Sequence, residues 1–398
     1  MPPAILTINA GSSSVKFAVF ALRGATDDPA LVLRGGIEAI GVAPRFAAED
    51  AKSAALPGLG TEAGIKTHDD AIAAILDWLE DRLAGREIGA AGHRVVHGGI
   101  KRVAPAPVDA ALIEELAALS PLAPHHQPHN VAAIRAIAKR RPNLKQIACF
   151  DTAFHATQPA IARRYALPRE LEEAGIRRYG FHGLSYEYLI SAMPRVIGHL
   201  PERVIALHLG NGASMCAIRA GKSIATTMGF STVEGLMMGT RAGSIDPGVL
   251  IYLMRERGMG HAELTDLVYN RSGLKGVSGI SSDMRTLLAS SDPRASEAVE
   301  LYCYRIVREI GSLVAALHGV DALVFAGGVG ERAVPVRARI LAQLGWLGVV
   351  PDEAANAGGG PRLTAETSRV VAWIVPTNEE LVIARYARSV LHSVEVWE

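Results

Sequence analysis

The sequence predicts an α/β protein with two related domains, and three observations support this prediction. The 398 residues are enough for two domains, and because 49% of them are apolar, each domain can bury a core. Strand-like and helix-like segments alternate along the chain, which favours a mixed α/β fold. A hairpin with a small, polar turn occurs near the N-terminus, and a similar one follows about two hundred residues later. The second hairpin predicts a duplication.

The first hairpin, residues 5–20, has two apolar strand-like runs around a Gly-Ser-Ser-Ser turn. Small residues in a tight turn let backbone N–H groups approach an anion closely. The hydroxyls of Ser12 and Ser14 add donors, and Lys16 adds a positive charge. Asn9 stands directly before the turn. This pattern predicts a phosphate-binding hairpin, and an ordinary β-hairpin with a polar turn is the alternative.

The second hairpin spans residues 204–218, with Gly210-Asn-Gly212 at its turn. A third glycine-rich turn, residues 327–332, follows the buried strand predicted at residues 322–326 and leads into a helix. Two phosphate-type hairpins at the starts of two halves predict duplicated domains that face each other across a cleft. Periodicity predicts the other elements between them. These are helices over 68–83, 110–119 and 131–139, and strands over 90–97 and 146–150.

Charge and cysteine usage exclude several classes of protein. Lys and Arg number 41 against 40 Asp and Glu, so no polyanion-binding surface is indicated and no nucleic-acid partner is expected. The three cysteines are far apart in the sequence, which is typical of buried thiols in a reducing compartment. No apolar run has membrane-spanning length without a charge. We therefore predict a cytoplasmic protein without a membrane partner.

Several familiar site motifs are incomplete or missing. None of the glycine-rich turns completes the Gly-x-Gly-x-x-Gly pattern of dinucleotide folds, and Gly221-Lys-Ser223 lacks the first glycine of a P-loop. The histidines of His125-His126-Gln-Pro-His129 could suggest a metal site. They lack paired cysteines or a nearby acid, so a polar loop is the favoured interpretation.

Nine motifs, taken in order, resemble those of one family, the acetate kinases. These are short-chain carboxylate kinases of the superfamily that also contains sugar kinases, heat-shock ATPases and actin. The resemblance covers essentially the whole chain. The motifs are Asn9-Ala-Gly-Ser-Ser-Ser-Val-Lys16, Gly92-His-Arg-Val-Val-His-Gly-Gly99, Phe150-Asp-Thr-Ala-Phe-His155, Tyr179-Gly-Phe-His-Gly183, His208-Leu-Gly-Asn-Gly-Ala-Ser214, Gly239-Thr-Arg-Ala-Gly-Ser-Ile-Asp-Pro-Gly248, Gly279-Ile-Ser-Ser-Asp-Met-Arg285, Gly327-Gly-Val-Gly-Glu331 and Thr377-Asn-Glu-Glu380.

The resemblance implies two duplicated RNase H-like, actin-like ATPase domains with the active site in the cleft between them. It implies an N-terminal domain of residues 1–151 that binds the acyl group and phosphate, to which a C-terminal helix at 379–398 returns. Residues 152–378 would then form the nucleotide-binding domain. Family members are homodimers that transfer the γ-phosphoryl group of MgATP reversibly to acetate, giving acetyl phosphate and ADP.

The resemblance also implies roles for individual residues. A carboxylate acceptor is already ionised at pH 7, so the chemistry needs cations and positioning rather than a base. The implied catalytic residues are Asp151, His182 and Arg241. The implied carboxylate-binding residues are Arg94, Val96, His125, Phe181 and Thr232. The implied ligands of Mg²⁺, or of Mn²⁺ in its place, are Asn9 and Glu379. The implied ATP-binding residues are Ser12, Ser14, Lys16, His208, Leu209, Gly210, Asn211, Gly212, Asp283, Met284, Arg285, Gly328, Val329, Gly330, Glu331 and Arg332.

Three positions depart from the family pattern. His125 stands where the family has a Leu, and Thr232 stands where it has a Pro, both in the pocket for the acetate methyl group. Arg332 replaces an Asn in the nucleotide turn. The pocket changes keep a propionate or butyrate kinase open as the alternative. A sugar kinase would need a base for its hydroxyl acceptor, whereas Arg94 and Arg241 favour an anionic one. A non-catalytic ATP switch of the actin type would need neither arginine.

Overall fold

The computed structural model describes residues 3–22, 24, 28–62, 64–83 and 85–392, so residues 1, 2 and 393–398 of the predicted N-terminal domain lie outside this range. The strands are β1 (Ala4–Ala10), β2 (Ser14–Ala21), β3 (Ala30–Glu38), β4 (Arg45–Asp50), β5 (Ile88–Val95), β6 (Ala106–Pro107), β7 (Lys145–Phe150), β8 (Arg203–Leu209), β9 (Ala213–Arg219), β10 (Lys222–Thr226), β11 (Ala322–Ala326) and β12 (Val371–Ile374).

The α-helices vary from one turn to 25 residues. They are α1 (His68–Arg82), α2 (Ala110–Ala118), α3 (Gln127–Arg140), α4 (Ala160–Arg163), α5 (Arg169–Glu173), α6 (Gly183–Ile197), α7 (Pro247–Arg257), α8 (His261–Asn270), α9 (Gly273–Ser278), α10 (Met284–Ala289), α11 (Pro293–Leu317), α12 (Gly327–Arg332), α13 (Val334–Ala342), α14 (Glu353–Gly358) and α15 (Glu379–His392).

The chain forms two compact units, each built on one sheet. Unit 1 comprises Met1–Ala153 and Asn378–Glu398, and unit 2 comprises Phe154–Thr377. The sheet of unit 1 has the order β4-β3-β2-β1-β5-β7-β6, and that of unit 2 has the order β10-β9-β8-β11-β12. In both sheets an antiparallel run leads into three parallel strands. The run β4-β3-β2-β1 leads into β1-β5-β7 in the first sheet, where β6 adds an antiparallel edge, and the run β10-β9-β8 leads into β8-β11-β12 in the second. This common order of strands is what a duplication produces.

In unit 1, helices α1 and α3 pack against one face of the sheet. Side chains two residues apart on β1 point to that face, because successive side chains of a strand alternate between its two faces. Leu6 and Ile8 belong to the core cluster that also contains the buried residues of α1 and α3. Helix α15, from the far end of the chain, contacts β1, β5 and β7. Gly92 makes this approach possible, because a Cβ there would lie 2.4 Å from Cγ2 of Ile383. The glycine lets α15 lie close to the strands that carry the site.

Unit 2 packs α6 and the long α11 against its sheet. Tyr186, Leu189 and Met193 of α6 cluster with Val204 of β8 and Val324 of β11. Helix α11 has the strongest apolar face of the molecule and contacts β8, β9 and β10. Among the described residues, no helix is both long and apolar enough to cross a membrane.

The structure differs from the predicted elements in three places. Strands β3 and β4 extend the first hairpin at its outer edge, although the sequence analysis placed no strands there. Helix α3 begins at Gln127, four residues before the predicted start, because Pro128 occupies its first turn, where proline is well tolerated. The predicted turn at residues 327–332 is a helix, α12, whose Gly327 N–H is capped by the carboxylate of Glu331.

Candidate functional site

In unit 1, the carboxyl ends of the three parallel strands bring Asn9, Arg94 and Asp151 together. Arg94 lies near the end of β5, and its Nε donates to Oδ2 of Asp151 at 3.1 Å while its Nη2 donates to the same oxygen at 2.5 Å. Its Nη1 donates to Oδ1 of Asn9 at 3.1 Å. Glu379, the first residue of α15, places Oε2 3.8 Å from Arg94 Nε. One guanidinium therefore contacts three oxygen-bearing side chains.

Asp151 is buried and the side chains of Arg94 and Glu379 are mostly so, at 17% and 16% exposed, and this burial changes their ionisation. Burial raises the pKa of Glu379 to about 7, and the positive charge of Arg94 offsets only part of this effect. Burial also lowers the pKa of Arg94, but the carboxylates of Asp151 and Glu379 outweigh burial and leave it raised. Arg94 is therefore a permanent cation. The acidic groups that act on this cluster are Asp151, Glu379 and Glu380, and its cations are Arg94 and Lys16.

Residues from α1 and α3 hold the glycine-serine turn of unit 1 from behind. Nδ2 of Asn130 donates to the carbonyl oxygen of Ala10 at 2.8 Å, and Nε2 of His68 donates to that of Gly11 at 2.6 Å. Lys16 pairs directly with Asn9 in the β1–β2 register, so both side chains lie on the same face of the sheet. Ser12 at the turn is exposed. The turn is thus held on a fixed frame, with Ser12 exposed at its tip.

The predicted acyl-pocket residues of unit 1 are held by the same helix. Oδ1 of Asn130 accepts from the N–H of Val96 at 3.0 Å, so a single amide links Val96 to the turn after β1. His125 is half-buried before α3 and is close enough to His129 to lower its pKa, together with burial and His68. The polar run that contains His125 is therefore part of a group of histidines beside the turn.

In unit 2, two stacked histidines stand at the starts of α6 and of the second glycine turn. The rings of His182 and His208 have centroids 4.2 Å apart and an interplanar angle of 22°. His182 has φ of 58°, a left-handed conformation that is uncommon for a residue other than glycine. Such a conformation persists only where the surrounding structure holds it, so the backbone that carries the His182 ring is held in place.

Arg241 lies beside this pair. A Cβ on Gly212 would stand 3.6 Å from Arg241 Nη1 and 3.7 Å from His182 Nε2, so both donors border the space above that glycine. Arg241 Nη1 also donates to the carbonyl oxygen of Thr232 at 3.2 Å. The loop of Thr232 is anchored by Glu234, which pairs with Arg178 at 2.7 Å. The arrangement gives two nitrogen donors converging on one small space.

Phe181, the residue before His182, is buried and is fixed by His155. His155 Nε2 donates to the carbonyl oxygen of Phe181 at 2.9 Å, and burial lowers the pKa of His155 to about 4. The imidazole ring of His155 packs so closely against Gly180 that a Cβ on this glycine would lie 2.6 Å from the ring. A neutral buried histidine thus supports the loop that presents His182.

The second glycine turn packs against two other predicted nucleotide-binding segments. The N–H of Gly239 donates to the carbonyl oxygen of Asn211 at 3.0 Å, and a Cβ on Gly239 would lie 1.9 Å from Asn211 Oδ1. The same Cβ would lie 3.3 Å from the carbonyl oxygen of Ser282. Asp283, the residue after Ser282, caps the N-terminus of α10 and forms an ion pair with the exposed Arg285 at 2.6 Å. Met284 is buried.

Helix α12 presents its glycine-rich N-terminus next to the end of β8. Gly327 has φ of 75°, and a Cβ on it would lie 2.8 Å from the carbonyl oxygen of Leu209. Glu331 Oε1 accepts from the N–H groups of Gly327 at 2.9 Å and Thr377 at 3.2 Å. The side chain of Arg332 lies against Gly328, since its Nη2 is 3.3 Å from the position that a Cβ on this glycine would take. Glu331 therefore stabilises the segment internally.

The oxygen groups near Arg94 fit a magnesium ion. Asn9 offers an amide oxygen and Glu379 a carboxylate, and Mg²⁺ prefers a few such oxygens together with waters. Burial is the main cause of the raised pKa of Glu379, and the nearby carboxylates of Asp151 and Glu380 add to it. Within the described residues there is no group of three or more His, Cys, Asp or Glu side chains suited to a metal, and this includes the histidines around His125.

Several supporting residues were not identified from the sequence. Asn130 and His68 hold the first turn, and Ser214 and Tyr186 contact the His182 ring system. Their partners are as many as 120 residues away along the chain. The motif that ends in Ser214 was visible, but nothing local distinguishes a serine that supports a histidine from one that binds phosphate.

Comparisons with known proteins show the family of this chain. The Acetokinase family matches residues 4–385. An acetate kinase of Rhodopseudomonas palustris (strain TIE-1) is 51% identical over 97% of this chain and 98% of its own length. One from Methylocella silvestris is 44% identical over 98% of each chain.

Solved structures are similar over the same extent. The acetate kinase of Porphyromonas gingivalis has a TM-score of 0.87 and 36% identity, covering 98% of this chain and all of that one. A propionate kinase from Francisella tularensis has a TM-score of 0.88 and 34% identity, covering 97% of this chain and 99% of the other.

The fold and these neighbours define a phosphotransferase with duplicated actin-like ATPase domains. The chain belongs to the acetokinase family and is an ATP-dependent kinase.

Proposed function

We propose that this enzyme transfers the γ-phosphoryl group of ATP to acetate, reversibly, giving acetyl phosphate and ADP. The observation that carries the proposal is Arg94, a permanent cation held at the ends of three strands by Asp151 and Asn9. An arginine in this position suits a carboxylate acceptor. A carboxylate oxygen attacks the γ-phosphorus, the bond to the β-phosphate oxygen breaks, and ADP leaves. No proton has to be moved, so no general base is required.

The acceptor role is assigned to unit 1. Asp151 occupies Nε and Nη2 of Arg94, and Asn9 contacts Nη1, so the guanidinium plane is fixed before any substrate enters. Preorganisation of this kind lowers the cost of orienting the acceptor. Val96 and His125 would then contact its alkyl part. Asp151 acts on the reaction by holding Arg94 in place.

The phosphoryl role is assigned to His182 and Arg241 of unit 2. Both present a nitrogen to the space over Gly212, at 3.6 Å and 3.7 Å from the position that a Cβ would take there. Charge on the equatorial phosphoryl oxygens is greatest during transfer, and donors already aimed there stabilise the transition state more than the ground state. Phe181 and Thr232, on either side of these donors in the sequence, complete the predicted acyl-binding set.

Nucleotide binding is assigned to both glycine turns. Ser12, Ser14 and Lys16 would contact the terminal phosphates, as would the backbone of the segment from His208 to Gly212. The segments Asp283–Arg285 and Gly328–Arg332 would hold the adenosine. Because Arg332 folds over Gly328 while Glu331 is engaged internally, Arg332 is the residue of that helix with a charge to offer the nucleotide.

Asn9 and Glu379 are the residues that would hold Mg²⁺. When bound, the ion would neutralise part of the charge of the ATP phosphates. The amide oxygen of Asn9 and the carboxylate of Glu379 both lie near the guanidinium of Arg94, which supports this assignment, and Mn²⁺ has the same preference for oxygen ligands.

The test is ATP- and Mg²⁺-dependent formation of acyl phosphate, trapped with hydroxylamine, with formate, acetate, propionate, butyrate and glycolate as acceptors. The expected result is the highest kcat/KM on acetate and loss of turnover in Arg94→Gln. A maximum on a longer or hydroxylated acid would keep the mechanism but reject acetate as the preferred substrate. No turnover with any acid would reject the proposal.

We also assign a homodimer, supported by an exposed apolar face in unit 2. Helix α7 has no buried residue, and its Ile251, Tyr252 and Met254 are each at least half exposed. Exposed apolar patches of this kind mark association surfaces. Sedimentation should give twice the chain mass, and Met254→Asp should give a monomer. A wild-type monomer would reject this assignment.

The buried thiols of Cys149, Cys216 and Cys303 support a cytoplasmic location.

A further inference from the structure

Behind His182, two hydroxyl groups line up with the ring nitrogen that faces away from Gly212. Nδ1 of His182 lies 2.8 Å from Oγ of Ser214, and that oxygen lies 2.5 Å from the hydroxyl of Tyr186. Ser214 and Tyr186 are completely buried. Since Nδ1 is engaged by Ser214, Nε2 is the ring nitrogen near Arg241 and the space over Gly212.

When His182 is neutral, the hydrogen bonds that join Tyr186, Ser214 and His182 can run in either of two directions. In one, Tyr186 donates to Ser214, Ser214 donates to Nδ1, and the ring carries its hydrogen on Nε2. In the other, Nδ1–H donates to Ser214, Ser214 donates to the phenol oxygen, and Nε2 carries a lone pair. A phenol is a better donor and a poorer acceptor than an aliphatic hydroxyl, because its oxygen lone pair is delocalised into the ring. This favours the first direction.

The two directions have opposite consequences for a phosphoryl group. Nε2–H would donate to a phosphoryl oxygen, whereas a lone pair on Nε2 would repel it. The stacked ring of His208, 4.2 Å away, disfavours a state in which both rings are cationic, since two positive charges at this distance repel each other. The tautomer of His182 therefore decides whether it helps or opposes the transfer.

We infer that Ser214, supported by Tyr186, is a positioning residue that fixes the His182 ring and keeps its hydrogen on Nε2. This inference rests on the proposed role of His182 in phosphoryl transfer. Ser214 is completely buried, so its proposed action is through the histidine.

The direct test is the ¹⁵N spectrum of the full-length protein with labelled histidines, with the His182 signals assigned from a His182→Gln variant. Wild type should show the Nε2–H tautomer, and Ser214→Ala should show a mixture or the Nδ1–H form. The kcat of Ser214→Ala should fall about 10- to 100-fold, with the KM values for ATP and carboxylate changed less than threefold. Tyr186→Phe should give a smaller loss.

Two further variants separate positioning from simple stability. Ser214→Ala leaves the buried phenol without this partner and should lower the melting temperature. Combining it with Tyr186→Phe removes both polar groups and should restore the melting temperature but not kcat. Ser368→Ala, which deletes another buried serine hydroxyl of unit 2, should leave kcat and the His182 tautomer unchanged.

An Nδ1–H tautomer in the wild type, or an unchanged tautomer in Ser214→Ala, would overturn the inference. Recovery of kcat in the double variant would also overturn it, because the loss would then be structural. Failure of the proposed function would look different, since wild type would then form no acyl phosphate while its tautomer could still be read.

Discussion

At the scale of single residues, glycines keep the reacting space of this enzyme free. Gly212 has no unusual backbone conformation, so alanine fits its chain geometry. Its added methyl would nevertheless lie at van der Waals distance from both Arg241 Nη1 and His182 Nε2. The glycine is therefore explained by the room it leaves between two donors rather than by its φ angle.

Gly212→Ala should fold normally and lose about 10- to 100-fold in kcat, because its methyl would occupy the place of a phosphoryl oxygen. Steady-state kinetics and a thermal melt measure the two effects. Gly345→Ala is the matched control, since a Cβ there meets nothing within 4 Å. It should change neither kcat nor the melting temperature. Wild-type kcat in Gly212→Ala would show that the phosphoryl group lies elsewhere.

His125→Leu should change which acids are used. The half-buried imidazole would be replaced by an apolar side chain, so kcat/KM for propionate should rise relative to glycolate, by about 10-fold if one contact of 1–3 kcal/mol is exchanged. The acid panel measures this, with His261→Leu as an exposed histidine control. An unchanged acid profile would place His125 outside the acyl pocket.

At the scale of secondary-structure elements, the sequence predicts what is local and misses what is distant. The two hairpins, α1 and the strand that ends before Asp151 follow from apolar periodicity and turn residues. The early start of α3 is not predicted, because the run of histidines around Pro128 is typical of a polar loop. Its consequence is large, since the extra turn contains Asn130, which holds Ala10 and Val96. Those contacts depend on the fold and leave no local signal.

The approach of α15 to β5 gives a test of one element. Gly92→Ala would place a Cβ 2.4 Å from Ile383 Cγ2, a clash that should cost about 1–3 kcal/mol and displace the helix that begins with Glu379. The free energy of unfolding in urea and the turnover rate should both fall. Ile383→Ala in the same chain removes the clashing methyl and should recover part of both. Failure to recover either would mean that Gly92 matters for another reason.

At the scale of the whole molecule, three buried histidines link stability to pH. Burial lowers the pKa values of His93, His97 and His155 to about 4. The unfolded chain, with histidine pKa values near 6.5, binds more protons than the folded one between pH 6.5 and 4. Their contribution is complete above pH 6.5 and is lost as the pH falls toward 4. Glu379 acts oppositely, because its raised pKa of about 7 favours the folded state on acidification.

These opposing effects leave a net loss of stability on acidification. Between pH 7 and 5 each histidine removes about 2 kcal/mol, and Glu379 returns about the same, so the net loss is about 4 kcal/mol. Urea unfolding at both pH values measures it. His155→Gln should reduce the difference by about 2 kcal/mol, because glutamine can keep a hydrogen bond to Phe181 without titrating. The same difference in wild type and variant would show that His155 is protonated, or accessible to protons, in the folded protein.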